Sequence, residues 1–228
     1  MVTAMPQAEE TRLAIIEAAE QLFARHGVDG VSMRDVAAAA GQLNNSAVQY
    51  HFGGRDNLLL AVFRYRMGDI NQARRAHLTA IDQQGRGGEP RALFEAIILP
   101  IAEFIRTQGE DSHYARFLAR VAPSVDFASE SFDGVSDAAN EVVARLTTAL
   151  PHLPGRAAIE RLDIAFTMCI SALAVHEQRR ALDLNVVPIT FDATVEHLID
   201  MAVGALAAPI SNGATSRRER TGITSPVV

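Results

Sequence analysis

Residues 44–51, with the sequence NNSAVQYH, gather side chains that can form hydrogen bonds with a nucleic acid. The amides of asparagine and glutamine pair well with adenine edges in the DNA major groove. Hydroxyl, phenol and imidazole groups can contact phosphate oxygens instead. Val48 and Phe52 lie one helical turn apart and can anchor one side of a short helix to a core. We therefore predict that this helix faces DNA with Asn44, Asn45, Ser46, Gln49, Tyr50 and His51.

Two features of this region keep both a structural and a functional interpretation. Asn44 and Asn45 precede the helix, and we predict that one of them caps it while the other reads bases. Ser32 is an N-cap residue for the preceding helix, with Asp35 in the capping-box position. The amides at that helix start can also receive a phosphate oxygen, so both roles stay open for Ser32.

The spacing of apolar residues predicts helices along the chain and no β-sheet. The predicted helices cover residues 9–26, 32–40, 45–52, 55–83, 90–107, 112–121, 134–150, 155–183 and 190–208. Gly41 lets the chain reverse between the second and third helices, and the small Ala37 lets them cross closely. That pair forms a helix-turn-helix, whose second helix enters the major groove. We expect an all-α fold with a DNA-binding domain over 1–54, a helical bundle over 55–210 and a disordered tail over 211–228.

Charge and composition exclude several classes of protein. The net charge of −6 excludes a basic protein that coats nucleic acid, and every basic residue among the 21 is arginine. Residues 30–66 nevertheless hold four arginines against two aspartates, so the region expected to face phosphates is mildly positive. The single Cys169 excludes an intramolecular disulfide framework and a cysteine-rich zinc module. No signal peptide or apolar stretch long enough to span a bilayer is found, which favours the cytoplasm and no membrane partner.

The sequence contains no pattern typical of an enzyme. A dinucleotide-binding glycine motif, a P-loop and an HExxH motif are all missing. The seven histidines are scattered and match no metal-ligand spacing. Cys169 lies in an apolar helix, as an inert core thiol does. We therefore predict no catalytic residue, no metal site and no cofactor.

Three stretches of the first quarter of the chain resemble the DNA-binding domain of the TetR (tetracycline repressor) family of bacterial transcription regulators. They read AAEQLFARHGVDGVSMRDVAAAAG, NNSAVQYHF and GGRDNLLLAVF. The resemblance implies that Arg34 and Arg55 contact phosphates and that Tyr50 lies against the DNA backbone. The turn after Gly41 is one residue longer than the usual pattern, which can shift the groove-facing residues by one position.

The region after residue 84 is where we expect a small-molecule effector to bind. Pro100 interrupts the predicted helix 90–107, and a helix kinked by proline has unpaired carbonyls and opens space beside it. Pockets in helical bundles have mostly apolar walls. We predict a pocket for a mainly hydrophobic effector lined by Phe94, Ile98, Ile101, Tyr114, Phe117, Leu118, Phe166 and Ile170.

The last two predicted helices carry apolar and small residues at helical spacing, which is typical of an interface between helices. The resemblance implies that they pair across a two-fold axis as a four-helix bundle. We predict a homodimer whose interface contains Ile164, Met168, Ser171, Val175, Val195, Leu198, Ile199 and Ala202. Two recognition helices in a dimer can read the half-sites of an inverted repeat.

The resemblance implies a ligand-responsive transcriptional regulator, most often a repressor, that a small effector releases from a palindromic operator. The alternative hypothesis is a helical enzyme or carrier of the same fold that does not bind DNA. DNA binding at low salt distinguishes the two classes.

Overall fold

The computed structural model describes residues 7–42, 44, 46–125, 132, 134–135, 137–184 and 190–210. Within these ranges the chain forms nine α-helices and no strand, which confirms the predicted all-α fold. The helices are α1 (Gln7–His26), α2 (Met33–Ala39), α3 (Ser46–Phe52), α4 (Arg55–Gln83), α5 (Pro90–Gln108), α6 (Tyr114–Val121), α7 (Asp137–Ala149), α8 (Gly155–Ala181) and α9 (Phe191–Ala207). The predicted tail over 211–228 lies outside the described residues.

Local sequence signals fix several of these helix boundaries. The Ser32 hydroxyl accepts a hydrogen bond from the Asp35 amide at 3.1 Å, and the Asp35 carboxylate accepts from the Ser32 amide at 3.0 Å. Pro90 is the first residue of α5, where its missing N–H costs no hydrogen bond. The Thr190 hydroxyl caps α9 by accepting from the Ala193 amide at 3.2 Å. Each of these helices therefore begins where the sequence places a capping residue or a proline.

Helices α1, α2 and α3 pack together and against the beginning of α4. Val36 and Ala37 of α2, and Val48 and Phe52 of α3, are buried in this small core. α4 is long enough to continue into the rest of the protein, where it contacts α5 and α7. The predicted boundary between 54 and 55 coincides with the start of α4, and the division into domains stays a prediction.

The larger part of the protein is a bundle formed by the C-terminal half of α4 and helices α5 to α9. α8 and α9 run antiparallel, because Arg161 of α8 donates to the carbonyl of Ala205 while Cys169 lies beside the carbonyl of Leu198. α6 packs between α8 and α1, so it connects the bundle to the N-terminal helices. In the described part of the chain, no helix combines the length and hydropathy needed to cross a membrane.

Candidate nucleic-acid interface and ligand cavity

The turn between α2 and α3 has the geometry that the helix-turn-helix prediction requires. Gly41 adopts φ +70°, a left-handed conformation that favours glycine. A Cβ atom at this position would contact nothing within 4 Å, so the backbone conformation, rather than space, selects glycine here. Ala37 is fully buried between the neighbouring helices. The turn therefore presents α3 on the outside of the small N-terminal core.

Asn44 is the residue that caps α3, the helix predicted to read DNA. Its side-chain oxygen accepts a hydrogen bond from the amide of Ser46 at 2.9 Å, and its carbonyl accepts from the amide of Ala47 at 3.1 Å. The sequence left open whether Asn44 or Asn45 caps the helix, and in the structure Asn44 does so. Asn45 lies outside the described residues, and its contact with bases stays a prediction.

The outward face of α3 is dominated by Tyr50. This side chain is 84% exposed, and the edge of its ring lies against His51. His51 is half-buried, while Ser46 and Gln49 are exposed. The Gln49 amide nitrogen donates one N–H to the carbonyl of Gly53 at 2.8 Å, so a base contact would use its second N–H or its side-chain oxygen. Tyr50, Ser46 and Gln49 are therefore accessible on α3, whereas His51 is only partly so.

The two arginines predicted to contact phosphates have different surroundings. Arg34 on α2 is exposed and forms no ion pair with any described residue. Arg55 donates to the carbonyl of Val31 at 2.9 Å and lies 3.7 Å from the carboxylate of Asp29. Arg55 therefore ties the start of α4 to the loop before α2, and only its remaining N–H groups are available to DNA.

Ser32 acts as the N-cap of α2, as the sequence predicts. Its hydroxyl lies 2.6 Å from the Asp35 carboxylate, and this bond, together with the one from the Ser32 amide, lowers the pKa of Asp35. An ionised carboxylate therefore stands at the start of α2. The predicted role of Ser32 in binding phosphate has to operate beside that negative charge.

A cavity of about 260 Å³ lies between α4, α5, α6, α7 and α8. Of the residues predicted to line a pocket, Ile101, Leu118 and Phe166 do so. Further wall residues come from α4, from α7 and from the segment before α7, and they include Phe63, Met67, Val143 and Val135. Its polar members are Arg74, Asn140 and Asp163, of which Asn140 and Asp163 are exposed. The cavity is therefore largely apolar, with a buried cation inside and exposed polar groups near the α7 and α8 edge.

Five residues predicted to line the pocket are instead part of the solid core, which corrects that part of the prediction. They are Phe94, Ile98, Tyr114, Phe117 and Ile170, all buried and absent from the cavity wall. Phe117 packs between the rings of Phe63 and Tyr114, at centroid distances of 5.0 and 6.0 Å. The sequence identified apolar helices correctly but does not show which turn of each helix faces an empty space.

The sequence interpretation missed Arg74, which among the described residues is the one charged side chain buried in the cavity wall. It is 2% exposed and lies on the inner face of α4 between the buried Ile70 and Leu78. That position is itself the signal that sequence reasoning could have used, because an arginine within an apolar stripe has to be paired or hydrogen-bonded.

Arg74 satisfies a backbone carbonyl that the proline in α5 leaves without a partner. Pro100 has no N–H, so the carbonyl of Ala96 lacks its helical donor. The Arg74 Nε donates to that carbonyl at 3.2 Å, and one Nη donates to the carbonyl of Ile97 at 3.4 Å. The other Nη donates to the side-chain oxygen of Asn71 at 2.5 Å. Burial lowers the pKa of Arg74 to about 10, which leaves it positively charged at neutral pH.

The residues predicted to form the dimer interface divide into two groups. On α8, Ile164 and Val175 are 67% and 47% exposed, Ser171 is exposed and Met168 is half-buried. On α9, the predicted residues are buried inside the protomer, which corrects that half of the prediction: they are Val195, Leu198, Ile199 and Ala202. A side chain already enclosed in its own protomer cannot be presented to a partner.

The orientation of α9 follows from its contacts with α5 and α8. Arg91 of α5 pairs with Glu196 at 3.1 Å and with Asp200 at 2.5 Å. These ion pairs hold the more apolar face of α9 against the core. The face turned away contains His197, Met201 and Gly204, all exposed, with Met201 at 59%.

Across the described ranges, no group of three or more histidine, cysteine, aspartate or glutamate side chains is arranged to hold a metal ion. Cys169 is a buried free thiol, and desolvation raises its pKa to about 12. A thiol that stays protonated at neutral pH is a poor nucleophile.

Two family models match this chain. Residues 15–62 match the model described as bacterial regulatory proteins, tetR family, and residues 95–205 match the tetracyclin repressor-like C-terminal domain. The first range contains the helix-turn-helix, and the second contains most of the bundle.

Two relatives named as transcription regulators agree with these matches. The chain is 24% identical over 173 residues to the probable HTH-type transcriptional regulator ArpR of Pseudomonas putida, covering 73% of this chain and 80% of ArpR. It is 36% identical over 63 residues to the HTH-type transcriptional repressor AcnR of Corynebacterium glutamicum, a match that spans 28% of this chain and 33% of AcnR.

The fold is similar to that of HlyIIR, a hemolysin II transcriptional regulator, with a TM-score of 0.53 and 16% identity over 89% of this chain and 99% of that one. The fatty acid degradation regulator FadR from Bacillus halodurans gives a TM-score of 0.53 and 16% identity over 84% of this chain and 97% of that one. Because both parts of the chain match models of one family and the fold agrees, the protein belongs to the tetR family of bacterial regulatory proteins.

Proposed function

We propose that this protein is a ligand-responsive, DNA-binding transcriptional regulator, and that it acts as a repressor. The observation that carries this proposal is the exposed outer face of α3, with Tyr50 at its centre, on a capped and well-packed helix-turn-helix. The names of its relatives, a transcriptional repressor and a probable transcriptional regulator, support the same function.

We propose that α3 lies in the major groove while the beginnings of α2 and α4 lie beside the phosphates. In this arrangement Asn45 and Gln49 read base edges, Tyr50 and His51 approach the backbone, and Arg34 is the most available cation. The single exposed arginine on α2 and the acidic α1 limit the number of neutralised phosphates. We therefore expect a modest dependence of operator affinity on salt.

The proposed operator is an inverted repeat bound by a homodimer. A single seven-residue helix such as α3 supplies few contacts, and a dimer doubles them. We propose that the dimer forms through the outward faces of α8 and α9, with Ile164, Ser171 and Val175 from α8 and His197 and Met201 from α9. This assignment replaces the buried residues of α9 with the exposed ones.

The effector site that we propose is the cavity between α4 and α8. Two of its walls, α4 and α6, also pack against the N-terminal helices. Leu118 of α6 and Phe63 of α4 line the cavity, while α6 rests on α1. A ligand that fits the cavity better in one arrangement of α4 and α6 shifts the population of that arrangement, and so changes the spacing of the two recognition helices.

Arg34→Gln tests the proposed DNA contact directly. We expect weaker binding to DNA from around the protein's own gene, and a salt slope reduced by about 1 for each lost phosphate contact, or about 2 for a dimer. Arg75→Gln is the matched control, because Arg75 is also exposed but lies on α4, about five and a half helical turns beyond Arg55.

Asn45→Ala and Tyr50→Ala extend the test to α3, where each substitution is expected to weaken binding by about 1–3 kcal/mol. Operator affinity that is unchanged in the Arg34, Asn45 and Tyr50 variants would contradict the assignment. A wild-type protein that binds no DNA at low salt would favour the enzyme or carrier alternative.

A further inference from the structure

We propose that the effector is a small monocarboxylate with an apolar body, and that its carboxylate pairs with Arg74 inside the cavity. This inference rests on the ligand cavity of the proposed function and identifies the chemical class of compound that fills it. It follows from the charge, hydrogen bonds and position of one arginine.

Arg74 is a buried cation, and the described part of the chain places no buried anion beside it. It forms no ion pair within 4 Å with any described carboxylate, although twelve such pairs occur elsewhere among the described residues. The groups that accept its hydrogen bonds are backbone carbonyls and the neutral amide of Asn71. A buried charge is normally paired, because its desolvation is otherwise uncompensated. A ligand carboxylate would supply the missing negative charge.

The guanidinium group also keeps hydrogen-bonding capacity for a ligand. An arginine has five N–H donors, and Arg74 uses three of them with the carbonyls of Ala96 and Ile97 and the side chain of Asn71. The remaining two belong to the Nη atoms, which is where a carboxylate binds. Asn71 is itself fixed, because its Nδ2 donates to the carbonyl of Val135 at 2.7 Å. The donor group is therefore held in place before any ligand arrives.

The other walls of the cavity determine the rest of the ligand. Between Arg74 and the exposed Asn140 and Asp163, the wall is formed by apolar side chains such as Met67, Ile101 and Phe166. At roughly 30 Å³ for each water-sized group, 260 Å³ holds about nine groups, which suits a short alkyl chain or a two-ring aromatic skeleton. The carboxylate of the exposed Asp163 would repel a second negative charge on the ligand near the edge of the cavity. A single anionic end with an apolar remainder is the best fit.

The test compares each carboxylate with a neutral compound of the same shape. Octanoate is measured against octanamide, and 2-naphthoate against 2-naphthamide, by calorimetric titration of the full chain at neutral pH. The two skeletons distinguish a flexible alkyl acid from a rigid aromatic acid. We expect at least one carboxylate to bind about tenfold or more tightly than its amide, because an amide lacks the charge that pairs with Arg74.

The variant that removes the cation is designed so that α5 keeps its hydrogen bonds. Arg74→Gln alone leaves the carbonyl of Ala96 without a donor. Pro100→Ala restores a backbone N–H at position 100, which can donate to that carbonyl as in an ordinary helix. In the double variant Arg74→Gln with Pro100→Ala, the preference for the carboxylate is expected to disappear. Pro100→Ala alone and Arg75→Gln should both retain it.

The outcomes divide cleanly. A preference present in wild type and in both controls, and lost in the double variant, supports the proposal. The proposal is overturned if both amides bind as tightly as their acids, if no carboxylate binds, or if the preference survives without Arg74.

DNA binding measured on the same proteins keeps the two proposals separate. If both amides bind the cavity as tightly as their acids and alter DNA binding, the regulator stands and the carboxylate inference fails. If octanoate binds through Arg74 but no DNA is bound, the reverse holds.

Discussion

Ser32 and Asp35 show how two residues determine the start of α2, a helix of the helix-turn-helix. The hydroxyl of Ser32 satisfies the amide of Asp35, and the carboxylate of Asp35 accepts from both the hydroxyl and the amide of Ser32. α2 has only seven residues, so a single uncapped end exposes a large share of its backbone groups. The capping box is therefore a main source of order in the helix that positions Arg34.

We expect Ser32→Ala to lower the free energy of unfolding by about 1 kcal/mol at neutral pH, because α2 loses its N-cap. Urea denaturation measures this, with Thr79→Ala as a control that removes an exposed hydroxyl from the interior of α4 and should change stability by at most about 0.5 kcal/mol. Equal losses in the two variants would show that the capping box does not stabilise α2.

The same pair predicts a dependence on pH. Hydrogen bonds from Ser32 lower the pKa of Asp35 below its ordinary value of 3.8. The stabilisation by the ionised carboxylate is therefore fully present above 3.8 and is lost as the pH falls through the lowered pKa. The difference between wild type and Ser32→Ala should accordingly shrink in strongly acidic solution.

At the scale of elements, α6 is held at its N-terminus by a carboxylate from another helix. Glu177 of α8 is buried, and it accepts hydrogen bonds from the amides of Ala115 and Arg116 at 3.2 and 3.0 Å and from the hydroxyl of Ser112. Its charge faces the positive end of the α6 dipole, and the Arg116 Nε lies 3.6 Å away. Because α6 also lines the cavity and packs on α1, this carboxylate fixes the helix that connects the two parts of the protein.

We expect Glu177→Ala to lower the free energy of unfolding by about 3 kcal/mol, because Arg116 and two helix amides lose a buried partner. Glu103→Ala is the matched control: it also removes a glutamate paired with an arginine, but Glu103 and Arg106 are both more than half exposed. The control should cost at most about 1 kcal/mol in the same urea titration. A loss in Glu177→Ala no larger than in the control would rule out this capping role.

For the whole molecule, the pairing of α8 with α9 leaves one apolar face that the described residues of the protomer do not cover. Ile164 and Met201 are 67% and 59% exposed on these two helices. Ile164 and Met201 lie at a similar level along the two helix axes, because the contacts of Arg161 with Ala205 and of Cys169 with Leu198 set the antiparallel register. Large exposed apolar side chains on adjacent long helices mark an interaction surface, which supports the proposed dimer.

We expect Ile164→Asp and Met201→Asp each to yield monomers that bind operator poorly while remaining helical. Two charges brought together at a two-fold axis repel each other and are desolvated. Light scattering measures the oligomeric state, and Ala73→Asp places the same charge on an exposed part of α4 as a control. If wild-type protein is monomeric at micromolar concentration, or if the Asp variants stay dimeric, the interface has to be assigned elsewhere.

The order and approximate ends of the helices could be predicted from the sequence, because they depend on local features. Apolar spacing, the Ser32 cap, Gly41 in its turn and Pro90 at a helix start all act within a few residues of chain. The outward side of α3 could be predicted for the same reason, since Val48 and Phe52 identify its buried side. The exposed Tyr50 is the direct consequence.

Tertiary structure alone decided which faces of the later helices are inside. α9 is apolar on more than one side, so its sequence fits an interface through Val195 and Ile199 as well as one through Met201, and only packing against α5 and α8 distinguishes them. Three other findings depend in the same way on three-dimensional placement. They are the capping role of Asn44, the empty space beside Ile101 and Leu118, and the hydrogen bond from Arg74 to the carbonyl that Pro100 leaves without a helical donor. Arg74 and Ala96 lie on different helices, and no local pattern records that contact. The sequence of this protein therefore determines its helices and the outward side of α3 through short-range chemistry, whereas the position and charge of its cavity arise from contacts between residues far apart in the chain.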